Sequence, residues 1–365
     1  MKRVLCILSN MNSGGAETFL MKVYRNLDRS KYQMDFCLNV ESECFYNEEI
    51  RNLGGKIFYV PPKSKNIHKF AKELKQLVRR EGYDFVLRIT SNAAGFLDLK
   101  LAKQAGAKVC IARSSNSSDG TSAVVKAIHR LSQLIFSRYV DVKLAPSMLA
   151  AEYTFGKKSV KNGEVSLLNN AVDLDIFKFY PEERDNIREE LGIHNKLVVG
   201  HVGRFSEQKN HLFLIDIFSE IKKQNENVVL LLVGGNGDQE EQVRKKISDF
   251  ALDDSVIFTG IRSDIPQLMS AMDVFILPSF YEGMPNVVIE AQSTGLPCII
   301  SDTITQEAQL TELVEFLSLK DNTKVWAKNA LEMANRPRMI TKQIFVDKGY
   351  DIQSVVDRFV KLIFK

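Results

Sequence analysis

Leu197-Val198-Val199-Gly200-His201-Val202 is an aliphatic, β-branched run that ends abruptly in Gly203-Arg204-Phe205, and helical spacing follows over residues 210–224. A short apolar strand, a glycine turn and an amphipathic helix make up the repeating piece of parallel sheets covered by helices. The piece recurs on both sides. After it, strands are expected at 228–233, 256–258, 274–277 and 298–300, with helices at 238–250, 264–272, 285–294 and 323–335. Before it, strands are expected at 2–8, 33–40, 56–60, 85–90, 108–113, 140–145 and 164–168, with helices near 16–27, 66–80, 93–105, 122–138 and 147–155. In the helix at 66–80, Ile67, Phe70, Leu74, Leu77 and Val78 share one face, and Gly82 stands just past the end. Between the two series, residues 173–195 lose the rhythm and become charged, as in Pro181-Glu182-Glu183-Arg184-Asp185. The fold class is therefore α/β, with two Rossmann-like doubly wound domains, 1–175 and 196–350, facing a central cleft. A linker is expected at 176–195, and a last helix at 351–365, able to pack back on the first domain.

Composition bounds the rest. A chain of 365 residues exceeds what one core usually organises. With 45% hydrophobic and 26% charged residues it is globular, not disordered or collagenous. No apolar run reaches the ~20 residues of a membrane span. The opening Met1-Lys2-Arg3 precedes only five apolar residues and then a glycine-rich turn, so it reads as a buried strand, not a signal peptide, and the chain is expected in the cytoplasm. Cys6, Cys37, Cys44, Cys110 and Cys298 form no C-x-x-C pair, which suits reduced thiols and gives no metal spacing. Residues 1–180 hold 28 Lys and Arg against 17 Asp and Glu, whereas the remainder holds 21 against 28. The first half should therefore face something anionic.

Ligands of open parallel sheets bind beyond the carboxyl ends of strands, so four strand-to-helix loops matter. Gly14-Gly15 follows the first strand; it is either a plain tight turn or a close approach of backbone to ligand. Gly203, Arg204 and Lys209 lie in a loop that opens a helix, where the two cations either clamp a diphosphate or are simply solvated. In Arg262-Ser263-Asp264, Asp264 is a helix-cap candidate, which alone explains most of the loop; the alternative is that the backbone around Arg262 meets a base edge. The richest loop is Phe280-Tyr281-Glu282-Gly283-Met284-Pro285-Asn286-Val287-Val288-Ile289-Glu290. Pro285 suits the first helical position, so the amides of Asn286 and Val287 would aim at whatever lies above the helix. Glu290 falls roughly 7 Å along that helix at ~1.5 Å per residue. Two carboxylates with anion-binding amides between them fit a nucleotide sugar, which carries hydroxyls at both ends and phosphates in the middle.

The Glu282-x7-Glu290 pattern resembles the signature of the GT4 family of retaining glycosyltransferases. Gly14-Gly15, Asn170-Ala171-Val172-Asp173 with Phe177, and Gly203-Arg204-Phe205 with Lys209-Asn210 fall in the family's order. The likeness spans essentially the whole chain, and its Glu-Gly-Met-Pro-Asn form is similar to the branch that builds bacterial capsular and exopolysaccharide chains. It implies the GT-B fold. It also implies that Arg204 and Lys209 hold the donor diphosphate, that Glu282 bonds the transferred sugar, that Glu290 bonds the ribose, and that Gly15 approaches the donor. No cofactor and no metal are implied, only a nucleotide-sugar co-substrate, with UDP-sugar the expected donor. Relatives often carry histidine where this chain has Ser115; the hydroxyl, Asn116 or Arg113 would take its place. Asp173-Leu174-Asp175 mimics a metal-binding D-x-D but lies at the linker.

The resulting expectation is a hexosyltransferase acting on a saccharide acceptor, lipid-linked by preference, in cell-surface polysaccharide synthesis. The alternatives are a nucleotide-sugar epimerase or hydrolase on the same fold, or a non-catalytic nucleotide-sugar-binding partner. Nucleic acid is not an expected partner, because no aromatic-interleaved basic platform is present. An anionic membrane surface is. Two helices of the basic half, 66–80 and the stretch 124–139, are amphipathic and basic, which suits peripheral docking on the inner face of the cell membrane.

Overall fold

The computed structural model describes residues 1–12, 14–115, 122–235 and 237–364. The chain divides into two compact units, Met1–Ala171 with Gly349–Lys365, and Val172–Lys348.

Unit 1 holds seven strands: β1 (Lys2–Ile7), β2 (Tyr32–Leu38), β3 (Ile57–Tyr59), β4 (Phe85–Thr90), β5 (Val109–Ser114), β6 (Val142–Ala145) and β7 (Val165–Leu167). They pair in parallel in the order β3-β2-β1-β4-β5-β6-β7. Successive side chains of β1 feed opposite cores. Val4 and Cys6 pack on the side of helix Gly15–Asn26, and Leu5 and Ile7 on the side of helix Ile67–Glu81. That two-sided burial is why the strand is a continuous apolar run and not an alternating one. The last helix, Ile352–Ile363, belongs to this unit: Val355, Val356, Phe359 and Ile363 join the first core, and Arg358 Nε donates to Leu167 O at 2.7 Å.

Unit 2 holds six: β8 (Leu197–Val202), β9 (Val228–Val233), β10 (Val256–Gly260), β11 (Val274–Leu277), β12 (Cys298–Ser301) and β13 (Val314–Leu317). Their order, β10-β9-β8-β11-β12-β13, is parallel throughout. Each sheet thus grows outward in both directions from its first strand. The crevice opens between β1 and β4 in one unit and between β8 and β11 in the other.

Two expectations need correcting, and one helix takes a direction that its sequence does not show. Residues 176–195 are not a bare linker: helix Pro181–Glu190 is bolted to unit 2, because Arg184 and Arg188 both pair with Asp273, at 2.6 and 2.7 Å. A run of charges that reads as solvated is here a clamp. Ile67 is exposed although Phe70, Leu74, Leu77 and Val78 of its helix are buried. Helix Ala123–Phe136 is inverted: His129 and Ser132 face inward, while Val124, Ile128, Leu131, Leu134 and Ile135 are exposed. Its inner face is polar because it seats on backbone, with His129 Nε2 3.0 Å from Tyr153 O and Gln133 Nε2 donating to Thr154 O at 3.1 Å.

Candidate active site

The loops after β8 and β11 stand on neighbouring strands and are tied together. Phe280 N–H donates to Gln208 O at 2.9 Å, and Gln208 Nε2 donates to Tyr281 O at 2.8 Å. This double tie brings Lys209 Nζ to 2.7 Å from Glu282 Oε1, which also accepts from Ser279 Oγ at 3.1 Å. Both side chains are largely withdrawn from water, 17% and 11% exposed. At such burial an ion pair is held by geometry and not merely by attraction across solvent. Asn210 supports the geometry by adopting the left-handed conformation, φ 55°, that ends the short turn Glu207–Lys209 and starts helix His211–Gln224. Asparagine tolerates that region better than most residues.

A third loop, not singled out in the sequence, closes around Gly203. Gly234 has φ 137°, and a Cβ there would fall 2.2 Å from Gly203 O; a Cβ on Gly237 would fall 1.9 Å from Phe205 O. Gln239 N–H donates to Phe205 O at 2.9 Å. The signal was present as Gly234-Gly235-Asn236-Gly237 directly after the all-aliphatic β9, and it is the lack of side chains that lets the two loops interlock.

Beneath the pair lie His201 and His211, ring centroids 4.6 Å apart. His201 Nδ1–H donates to Ile276 O at 2.8 Å, so Nε2 keeps its lone pair, 3.1 Å from where a Gly203 Cβ would sit. Burial pushes His201 down to about 4 and His211 to about 2, so both rings are neutral near pH 7. The loop after β8 carries two cations, Lys209 and Arg204, of which Arg204 is exposed and, among the described residues, forms no ion pair.

Helix Asn286–Ser293 begins one residue later than expected, with Pro285 as its cap, and the amides of Val288 and Ile289 turn back to Pro285 O at 3.1 and 3.2 Å. Val287, at the second position, precedes those bonds, so its amide points along the axis at the positive end of the helix. Glu290 is buried on the same helix, at 7% exposure.

The remaining candidates fall elsewhere. Arg262 is paired with Asp264, Nη2 to Oδ2 2.6 Å, and with Glu190 at 3.0 Å. Asp264 consequently makes no side-chain cap, contrary to expectation. Gly14 caps helix Gly15–Asn26 by backbone in an extended conformation, φ −114°, and a Cβ on it would meet only the movable end of the Glu17 side chain, so the helix itself does not demand a glycine there. Ser115 lines an open cavity of about 300 Å³ in unit 1, with Glu17, Lys63, Arg88, Ser91 and Asn92. Asn116 lies outside the described residues. Arg113 does not reach that cavity; it is buried over the Phe19 ring at 3.6 Å, with Nη2 donating to Asn170 Oδ1 at 2.6 Å. Asp173 Oδ1 accepts from the amides of Asp175 and Ile176, and Asp175 pairs with Lys342 at 2.9 Å, so this D-x-D is a turn and an ion pair. Among the described residues, no three His, Cys, Asp or Glu gather closely enough to hold a metal, and all five cysteines are free and buried.

Comparison with known proteins now decides the family. The description "Glycosyltransferase Family 4" matches residues 13–176, and "Glycosyl transferases group 1" matches residues 196–336. The chain is 37% identical over 371 residues to EpsF of Bacillus subtilis (strain 168), which is named a glycosyltransferase, covering 97% of this chain and 94% of that one. The chain belongs to glycosyltransferase family 4. It is also 30% identical over 261 residues, 68% of its length and 66% of the relative's, to the UDP-Gal:alpha-D-GlcNAc-diphosphoundecaprenol alpha-1,3-galactosyltransferase of Escherichia coli. Among solved structures it resembles Anabaena Alr3699/HepE in complex with UDP and glucose, with a TM-score of 0.81 and 18% identity over 99% of both chains. The two Rossmann-like sheets are those of the GT-B fold, and this family-4 chain is a glycosyltransferase.

Proposed function

We propose that this glycosyltransferase moves a hexosyl unit from a UDP-sugar to a lipid-linked saccharide with retention of anomeric configuration, in the building of a cell-surface polysaccharide. The Lys209–Glu282 pair at the crevice of unit 2 carries the reading. An incoming donor gives Lys209 a second anionic partner, its diphosphate, while Glu282 remains beside it to accept hydrogen bonds from the sugar hydroxyls. Arg204 and the leading amides of helix Asn286–Ser293 add positive potential where the leaving diphosphate gathers charge. Glu290, buried on the same helix, would accept from the ribose hydroxyls. In the transfer the C1–O bond to the diphosphate breaks, a bond from C1 to the acceptor oxygen forms on the same face, and the acceptor proton passes to the departing phosphate oxygen.

The UDP and the lipid diphosphate are suggested by what the Anabaena structure contains and by the Escherichia coli relative's name. The basic first half suits such an acceptor at an anionic leaflet. No described helix is long and apolar enough to cross a membrane, so docking there would be peripheral. No divalent metal is needed on this account, because cations of the chain itself meet the diphosphate. The test is transfer from a panel of UDP-, GDP- and ADP-sugars to a saccharide on a prenyl diphosphate, with and without EDTA. The account expects a UDP-sugar to serve, an α-linked product from an α-donor, and an unchanged rate in EDTA. Release of free sugar alone, an inverted product or a magnesium-restorable loss would refute it.

A further inference from the structure

Helix Ala123–Phe136 puts the wrong face outward for a helix in water. At 100° per residue, Val125, His129, Ser132, Gln133 and Phe136 fall on the arc that meets the rest of unit 1. Val124, Ala127, Ile128, Leu131, Leu134 and Ile135 fill a contiguous arc of about 120° on the other side. All six are exposed, Leu134 at 83%, Val124 at 68% and Leu131 at 59%. A single exposed leucine needs no explanation, but six apolar side chains forming one strip do. Lys126 and Arg130 occupy the arc between the buried face and the strip, and Arg138 follows the helix end. From Gly120 to Val140 the sequence contains no acidic residue.

We infer that this helix is a membrane-inserting element, lying in the interface of an anionic bilayer with its apolar strip among the acyl chains and Lys126 and Arg130 at the headgroups. The inference deepens the lipid-linked reading above and rests on it. Fourteen residues make a helix of about 21 Å, too short for a ~30 Å hydrocarbon core but long enough to lie along its surface. Charge complementarity selects the occupant. A second copy of this chain would bring the same cations to the strip, whereas anionic headgroups neutralise them. The difference from simple adsorption matters: helix Ile67–Glu81 displays Lys72, Lys75 and Arg79 above a buried apolar face and can attract the leaflet only by charge. Lys63 does not add to that surface, since its Nζ is turned onto the buried Asp98 at 2.7 Å.

The experiment uses the full chain carrying Leu134→Trp. The native Trp326 is fully buried in unit 2 and serves as an internal reference. Vesicles of equal parts phosphatidylglycerol and phosphatidylcholine, with bromine on the acyl chains, should shift the new tryptophan to the blue and quench it. The triple variant Ile128→Gln, Leu131→Gln, Leu134→Gln should lose about tenfold or more in vesicle partitioning, which corresponds to ~1.4 kcal/mol. Its melting temperature and its transfer to a water-soluble acceptor analogue should be unchanged. Vesicle binding without quenching would overturn insertion while leaving an electrostatic docking intact. A dimer in solution that the triple variant abolishes would also overturn it, assigning the strip to a second copy. Loss of transfer even to the soluble analogue in the unaltered chain would instead count against the proposed function.

Discussion

The two units share a strand order yet fill their crevices differently. In unit 1, Arg88 lies within β4 itself: its Nη1 donates to Ile7 O at 2.9 Å, tying β4 to β1, and its Nε lies 3.0 Å from Asp98 Oδ2. Lys63 meets the other oxygen of Asp98, which is only 1% exposed. This is a closed triad in the cavity wall, in which strand and helix hold each other. In unit 2 the charged pair sits on loops beyond the strand ends, Lys209 after β8 and Glu282 after β11, with an exposed Arg204 beside it and a helix start pointing nearby. Topology supplies a crevice in both. On the function proposed above, charges inside the sheet hold the fold and charges beyond it meet the ligand.

Exchanging charge for neutrality on each side should separate these roles. The largest effect is expected in unit 2: Glu282→Gln and Lys209→Ala should each lower turnover by ~100-fold or more, since on the proposed function each removes a group that meets developing charge. Each variant should stay folded, with its melting temperature lowered by the unpaired partner left behind, and turnover near the original rate would break the comparison. In unit 1, Asp98→Ala leaves Arg88 and Lys63 without their shared carboxylate, two-thirds of a buried network. A loss of about 3–5 kcal/mol in stability is expected from denaturant titration. A variant as stable as the original would show that the triad holds nothing.

The smallest effect is one of pH. In the unfolded chain a histidine titrates near 6.5, so between that value and about 4 the unfolded state binds protons that buried His201 cannot. Stability is therefore level above about pH 6.5 and falls as pH drops from there through about 4, and His211, held down to about 2, continues the loss. Calorimetry across this range should show a shallower slope in His211→Phe, whose ring nitrogens have no hydrogen-bond partner among the described residues. An identical slope would mean that these imidazoles are not the groups titrating.

The sequence made the central strands plain because β1, β8 and β9 are buried on both faces and read as near-continuous apolar runs, and β4 does so up to Arg88. The Glu282–Glu290 loop was legible for another reason, since Gly283 and Pro285 fix where a helix can start. What stayed hidden depends on contacts far apart in sequence. Asp273 turns a charged stretch into a clamped helix, and it is 89 and 85 residues from its two arginines. The short helices Asn47–Asn52, Lys157–Lys161 and Lys342–Asp347 are under two turns and leave no periodicity to read. Helix Ala123–Phe136 showed its period but not its direction. An amphipathic pattern gives two faces, and backbone groups far away in sequence, the carbonyls of Tyr153 and Thr154 and the amide of Ala93, make the polar one the inner.

The central claim is that the nucleotide is held at the crevice of unit 2 by Lys209 and its neighbours, and not at the crevice of unit 1. Calorimetric titration of UDP, with GDP and ADP as controls, into the unaltered chain, Lys209→Ala and Lys63→Ala tests it most directly. UDP should bind the unaltered chain and Lys63→Ala with similar affinity, and binding to Lys209→Ala should weaken by about tenfold or more, as for a lost charge-assisted contact. Undiminished binding to Lys209→Ala, or binding lost only in a Lys63→Ala chain that remains folded, would contradict the account.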